Sequence, residues 1–216
     1  MLVIERSIPE CIKKSPMMQK GGFEIVNGLL PEPKREQMLA EAIRLYPESC
    51  QSYEPESDGE EIRGGSPARQ FLSSQGGPVQ DVFYQDNWLT GVLSDRTSNN
   101  IVTSGERGTF TYYVRAGDHL AIHRDVQSCD VAVVSCLLEN SRPDQTGGCI
   151  TIYPERIYEP LSSIRATPQE GALTIRLELG QTIFMFGGAL PHSILPLGAE
   201  QTRIVSVLCF RVPQRD

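Results

Sequence analysis

From Asn100 onward the chain is a succession of short apolar or alternating runs broken by Gly, Pro and Asp. "TFTYYVR", "HLAIH", "DVAVVSCLL", "CITIY", "ALTIRLEL", "TIFMF" and "IVSVLCFRV" each read as a strand bounded by turn residues. The clearest is "ALTIRLEL", in which Leu173, Ile175, Leu177 and Leu179 alternate with Thr174, Arg176 and Glu178. A period of two places the leucines on a core face and the polar set in water. Successive strands with no helix between them predict an antiparallel barrel or jelly roll, a mainly β fold with flanking helices.

The first hundred residues carry a different pattern. "FEIVNGLLPEPKREQMLAEAIRLYP" predicts a short strand, a turn and a helix from about Pro33 to Tyr46, with Met38, Ala42 and Leu45 on one face and Pro47 ending it. A second helix is expected between about Pro78 and Asp95, with Val82, Phe83, Leu89 and Leu93 roughly on one side and Gly91 weakening it. Between them Cys50 to Gly77 shows no sustained period and reads as a long loop, either a solvated connection or a lid over a site. Its acidic residues Glu54, Glu56, Asp58, Glu60 and Glu61 read as a water-facing run. The expected organisation is an N-terminal helical and loop elaboration, residues 1–100, packed on a core of residues 101–216 in one compact domain.

Composition acts mainly by exclusion. With 216 residues, 39% hydrophobic and 22% charged, the chain is an ordinary globular protein long enough to bury a core. A net charge of -7 and the absence of any basic block argue against nucleic acid or a membrane surface as the main partner. The apolar start ends at Glu5 and Arg6, too soon for a signal-peptide core, and no run approaches a membrane span, so a cytoplasmic protein is expected. Cys11, Cys50, Cys129, Cys136, Cys149 and Cys209 form no CxxC pair and are expected to be free thiols, Cys136 and Cys209 within buried strands.

Candidate chemistry sits in "GDHLAIHRD", Gly117 to Asp125. In a strand, residues i and i+2 share a face with Cα atoms roughly 6.6 Å apart, so His123 and Asp125 can lean toward one ion. His119 lies too far along the strand to join them, and His192, after a Gly-Gly break in "MFGGALPH", is the better third ligand. Two histidines and one carboxylate leave coordination positions open, the arrangement of non-heme Fe(II) oxygenases rather than of closed zinc sites. Arg203 opens the last apolar strand, where burial next to a metal requires an anion, and its planar fork suits a carboxylate. Gly147 and Gly148 read as a turn into a strand, Gly187 and Gly188 as a bulge aiming His192, and Arg124 as a bystander. A kinase-like reading of "HRD" fails, because no asparagine follows five residues later and no Gly-rich nucleotide loop precedes it.

Taken in order, "YYVRAGDHLAIHRD", "GGCITIY", "GQTIFMF", "PHSILPL" and "TRIVSV" resemble the core of the Fe(II)/2-oxoglutarate-dependent dioxygenases, most closely the prolyl-hydroxylase-like branch, over about Phe110 to Val212. The resemblance implies a double-stranded β-helix, the cupin-like jelly roll. It implies that His123, Asp125 and His192 are the catalytic iron ligands, that Arg203 binds the distal carboxylate of 2-oxoglutarate, and that Tyr113 lines the co-substrate pocket while Tyr112 packs on the opposite face. Fe(II), 2-oxoglutarate and O2, with ascorbate in support, are the implied cofactors and co-substrates. Two departures stand out: Val205 occupies a position where many relatives carry Ser or Thr, and the strand after the HxD pair has no tyrosine. Retention of Asp125 disfavours the halogenating relatives. The implied activity is oxidation of a C–H bond of a small molecule or amino-acid-like substrate, with release of succinate and CO2. A peptide or protein hydroxylase, a cupin-like metalloenzyme that does not use 2-oxoglutarate, and a non-catalytic binding module remain open alternatives.

Overall fold

A run such as Val131 to Leu137, buried at every position, decides how the chain folds, because a strand apolar on both faces requires a sheet covered twice. The structure, a computed structural model, describes residues 8–54 and 67–213. Twelve strands among them form one curled antiparallel sheet: β1 (Phe23–Val26), β2 (Cys50–Glu54), β3 (Arg69–Gln75), β4 (Val102–Thr103), β5 (Thr109–Tyr113), β6 (His119–His123), β7 (Val131–Glu139), β8 (Ile150–Ile152), β9 (Leu173–Ile175), β10 (Thr182–Met185), β11 (His192–Ile194) and β12 (Arg203–Arg211). The helices are α1 (Glu10–Lys13), α2 (Pro16–Gln19), α3 (Glu32–Leu45), α4 (Pro78–Tyr84), α5 (Asn87–Thr97) and α6 (Leu161–Ala166).

One half of the sheet runs β1-β10-β7-β12-β5 and the other β6-β11-β8-β9, joined through β3. Strand β3 spans the halves: Leu72 to Gln75 pair with β5, whereas Arg69 and Gln70 pair with β6. This is the expected jelly roll. The outer face of the first half carries Phe110, Tyr112, Val131, Val133, Leu137, Ile204, Leu208 and Phe210 against Met38 and Ala42 of α3, Phe83 of α4 and Leu89 and Leu93 of α5. The inner face presents Tyr113, Val134, Cys136 and Val205 to Ile150 and Ile152 of the other half. Tyr112 and Tyr113 therefore divide as expected, and the Tyr112 hydroxyl donates to the Ala42 carbonyl at 2.8 Å.

Several expectations are corrected. Cys50 to Gly77 is not a loop throughout, since β2 and β3 pair as a ladder from Cys50↔Ser73 to Glu54↔Arg69. Polar strand residues hid it: Ser52 accepts from Arg69 Nε at 2.7 Å, a cross-strand contact that periodicity cannot reveal. Residues 55–66, with Glu56, Asp58, Glu60 and Glu61 and the suggested lid, lie outside the described residues. The second helix is two helices, because Asp86 caps α5 by accepting from the Trp88 backbone N–H at 2.8 Å, and Val82 is exposed. "ALTIRLEL" forms only the three-residue β9 at the sheet's end, paired with β8 alone. Leu173 and Leu179 are exposed and only Leu177 is fully buried; the strand ends at Ile175, so its period of two is not carried on to 177 and 179. Cys129 and Cys209 are joined in a disulfide rather than free, while Cys136 and Cys149 are buried thiols. No helix among the described residues is long and apolar enough to cross a membrane.

Candidate metal centre

Strands β6 and β11 lie side by side with His123 directly opposite His192. Two residues further along β11, Ile194 faces Leu120, three residues back along β6, so the register slips by one. The slip falls at Ala121 and Ile122, which line a cavity of about 610 Å³ outside the sheet together with His119, Thr151 and Ser193. Strict alternation would have put His119 and His123 on one face; the slip sends His119 outward and His123 inward. The expected bulge is thus on β6, not at Gly187 and Gly188, which form a turn.

His123, Asp125 and His192 bring one ligand atom each to within 4.8 Å of one another. His123 Nε2 is 3.5 Å and His192 Nε2 3.6 Å from Asp125 Oδ1, and the imidazole centroids are 4.2 Å apart. Each ring directs Nδ1 at the carbonyl two residues before it, Ala121 for His123 and Leu190 for His192, both at 2.9 Å. A carbonyl only accepts, so Nδ1 carries the proton and the Nε2 lone pairs converge with the carboxylate on one point. Burial, then the neighbouring His192, lowers the His123 pKa despite Asp125. Burial lowers that of His192 too, but contact with Asp125 overcomes it and the net shift is upward. For Asp125, burial pushes the carboxyl up, and the two histidines outweigh it, holding the group well below the usual carboxylate range. An ionised carboxylate and two inward Nε2 donors are a set that fits a divalent transition metal.

Two arginines brace this corner. Arg124 donates to the carbonyls of Ala189, Ile157 and Glu159, each at 2.9 Å, fastening the turn before His192 to the HxD segment. It is a clamp rather than a bystander. Arg165 of α6 turns Nε and Nη2 onto the Ile122 carbonyl at 3.2 and 2.9 Å, holding the slipped residue of β6. Arg165→Ala is expected to weaken Mn(II) binding by about tenfold while the far-ultraviolet circular dichroism is kept, since supporting contacts of this kind typically matter that much. Unchanged affinity in a titration followed by electron paramagnetic resonance would show that the slip holds without it.

Arg203 lies on the same interior, opposite Tyr113 in the β12–β5 register. Only 1% of its side chain is exposed. Nη1 donates to Glu139 Oε2 at 2.8 Å and to the Leu177 carbonyl at 3.3 Å. Nε and Nη2, the edge that grips a carboxylate side-on, are buried without a hydrogen-bond partner among the described residues. Gly148 is required beside it: φ is +75°, and a Cβ there would meet Arg203 Cδ at 3.3 Å. Tyr113 packs on Phe71 with ring centroids 5.7 Å apart, and burial pushes its phenol well up against the opposing pull of Arg203, so it stays a neutral hydroxyl. Glu139, Arg176 and Arg165 carried no functional signal in the sequence: each acts through contact with a segment distant in the chain.

No family model and no curated protein matches this chain. Solved structures do. A Pseudomonas putida prolyl-4-hydroxylase is 16% identical with a TM-score of 0.60, covering 92% of this chain and 96% of that one. A prolyl hydroxylase in complex with a hypoxia inducible factor peptide fragment, from Trichoplax adhaerens, is 18% identical with a TM-score of 0.62, covering 91% and 86%. HygX from Streptomyces hygroscopicus, with nickel and 2-oxoglutarate bound, is 13% identical with a TM-score of 0.65, covering 94% and 87%. The chain thus has the fold of the 2-oxoglutarate oxygenases of the prolyl-hydroxylase-like kind.

Proposed function

We propose that the protein is an Fe(II)- and 2-oxoglutarate-dependent oxygenase that oxidises a C–H bond of a small-molecule or amino-acid-like substrate. The observation that carries this reading is the buried, unpartnered Nε/Nη2 edge of Arg203 in the interior that also holds His123, Asp125 and His192. Glu139 reaches only Nη1, and an edge so enclosed is costly until an acceptor such as a second carboxylate meets it.

In this reading His123, Asp125 and His192 would hold the iron. Arg203 anchors the distal carboxylate of 2-oxoglutarate bidentately, which fixes the orientation of its 2-oxo acid end toward the metal. The Tyr113 phenol, kept protonated by burial, donates to the same region, where Val205 contributes only apolar wall. Phe71, Val205 and Ile152 keep that end of the interior dry, which strengthens each charged hydrogen bond within it. Bound iron with 2-oxoglutarate supplies O2-dependent decarboxylation to succinate and CO2, coupled to substrate oxidation.

The fold accommodates substrates of different size, since one neighbour is complexed with a peptide and HygX has also been solved with hygromycin B bound. The test is succinate release with Fe(II), ascorbate and O2 across a panel of metabolites, amino acids and prolyl peptides. Release is expected with the wild type and a small molecule, and not with His123→Ala. Turnover of a prolyl peptide alone would reassign the substrate, and oxidation that proceeds without 2-oxoglutarate would overturn the class in favour of a cupin-like enzyme.

A further inference from the structure

Arg203 does not meet the interior alone. Its partner Glu139, at the end of β7, is itself buried, with 7% of its side chain exposed, and its other oxygen faces Arg176 Nη1 at 3.3 Å. Oε1 also accepts the Ser141 backbone N–H at 2.8 Å, so Glu139 is held at both oxygens. Arg176 comes from the segment after β9, whose alternation assigned it to water. Instead it is four-fifths buried, at 20% exposure, and its Nη2 is enclosed without a hydrogen-bond partner among the described residues. Three charged groups are therefore in contact, Arg203, Glu139 and Arg176, in the order cation, anion, cation.

The charge balance has a direct consequence. Arg203 and Glu139 alone would form a neutral pair, with no net charge to draw another carboxylate out of water. Arg176 restores a net charge of one positive unit, which one carboxylate on the open edge of Arg203 neutralises. In a low-dielectric interior a neutral assembly is strongly preferred to a charged one. We infer that Arg176 is a determinant of co-substrate recognition that acts through Glu139: it offsets that carboxylate and so leaves Arg203 available to a second, external one. The inference rests on the reading of Arg203 as the 2-oxoglutarate anchor and adds that the anchor's strength is set two residues away. It also gives a reason why Val205 can stand without a hydroxyl here, since a second cation in the cluster contributes what a neutral donor would.

The test is calorimetric titration of the Mn(II)-loaded full-length protein without O2, using 2-oxoglutarate and, as a probe lacking the distal carboxylate, 2-oxobutyrate. Arg176→Gln is expected to raise the Kd for 2-oxoglutarate by about tenfold, the fold-change that a coupling of about 1.4 kcal/mol between groups of one ionic cluster produces. The Kd for 2-oxobutyrate should not change. The double variant Glu139→Gln/Arg176→Gln returns the cluster to one net positive charge and should restore 2-oxoglutarate binding, and Glu139→Gln alone should tighten it. A purely structural role for Arg176 predicts no such rescue, so a double variant as weak as Arg176→Gln overturns the inference, as does an Arg176→Gln variant that binds normally. Both of those outcomes leave the 2-oxoglutarate reading intact. Wild-type protein that fails to discriminate 2-oxoglutarate from 2-oxobutyrate overturns that reading and the inference with it.

Discussion

Gly187→Ala abolishes tight metal binding while the fold survives: this is the expected result with the largest effect at the His-Asp-His cluster. A Cβ on Gly187 would lie 1.8 Å from Asp125 Oδ2 and 2.8 Å from its Cγ, with Ala132 Cβ at 3.5 Å behind it. The backbone cannot yield, because the Gly187 carbonyl accepts the Asp125 N–H at 2.8 Å and fixes the two segments together. The carboxylate must therefore rotate off the point where His123 and His192 converge. Loss of one ligand from three leaves two neutral imidazoles, and a fall of about a hundredfold or more in Mn(II) affinity is expected. Gly91→Ala in α5, where a Cβ meets nothing within 4 Å, is the matched control and should bind metal normally. Retention of wild-type affinity by Gly187→Ala, measured by the same titration, would show that Asp125 is not a ligand.

Arg203→Gln is expected to cost most at the other end of the interior. It removes a buried charge whose side-on edge is the natural partner of a carboxylate, and losses of about 2–4 kcal/mol, roughly thirtyfold to a thousandfold in Kd, follow for charge-assisted bidentate contacts. Metal binding should persist, since the His123 and His192 rings are set by the Ala121 and Leu190 carbonyls and by Asp125. The variant should then bind 2-oxoglutarate and 2-oxobutyrate alike. Undiminished turnover of 2-oxoglutarate would remove the co-substrate from the assignment and leave a metal site of another kind.

These two variants probe features of unequal legibility. Arg203 was open to sequence reading because an arginine at the start of an apolar strand is anomalous, and an anomaly invites a partner. Gly187 was visible only as part of a Gly-Gly break, and the reason for it is a contact with a residue sixty-two positions earlier. The HxD spacing was readable because a single residue separates the two, although β6 ends at His123 and Asp125 lies just beyond it. That His119 faces away was readable only as distance; its cause is the register slip between β6 and β11. The cleanest alternating run proved the most misleading: in "ALTIRLEL" the polar position 176 turns inward to Glu139 while Leu173 and Leu179 face water. The strand ends at Ile175, so the backbone that makes side chains alternate does not continue through positions 176 to 179.

The sequence by itself determined what is local or compositional: the run of strands, the α3 helix, the inward set Tyr113 and Arg203 against the outward Tyr112, and the donor types at His123, Asp125 and His192. Backbone periodicity and side-chain chemistry act over a few residues, so they are written in the order of the chain. Only the tertiary structure decided the Cys129–Cys209 disulfide, the β2–β3 pairing, the slip that turns His123 inward, and the Arg203–Glu139–Arg176 cluster. Each joins segments far apart in the chain, and whether a buried charge meets a counter-charge or a glycine meets a carboxylate depends on strand register, which a single residue's shift would reverse.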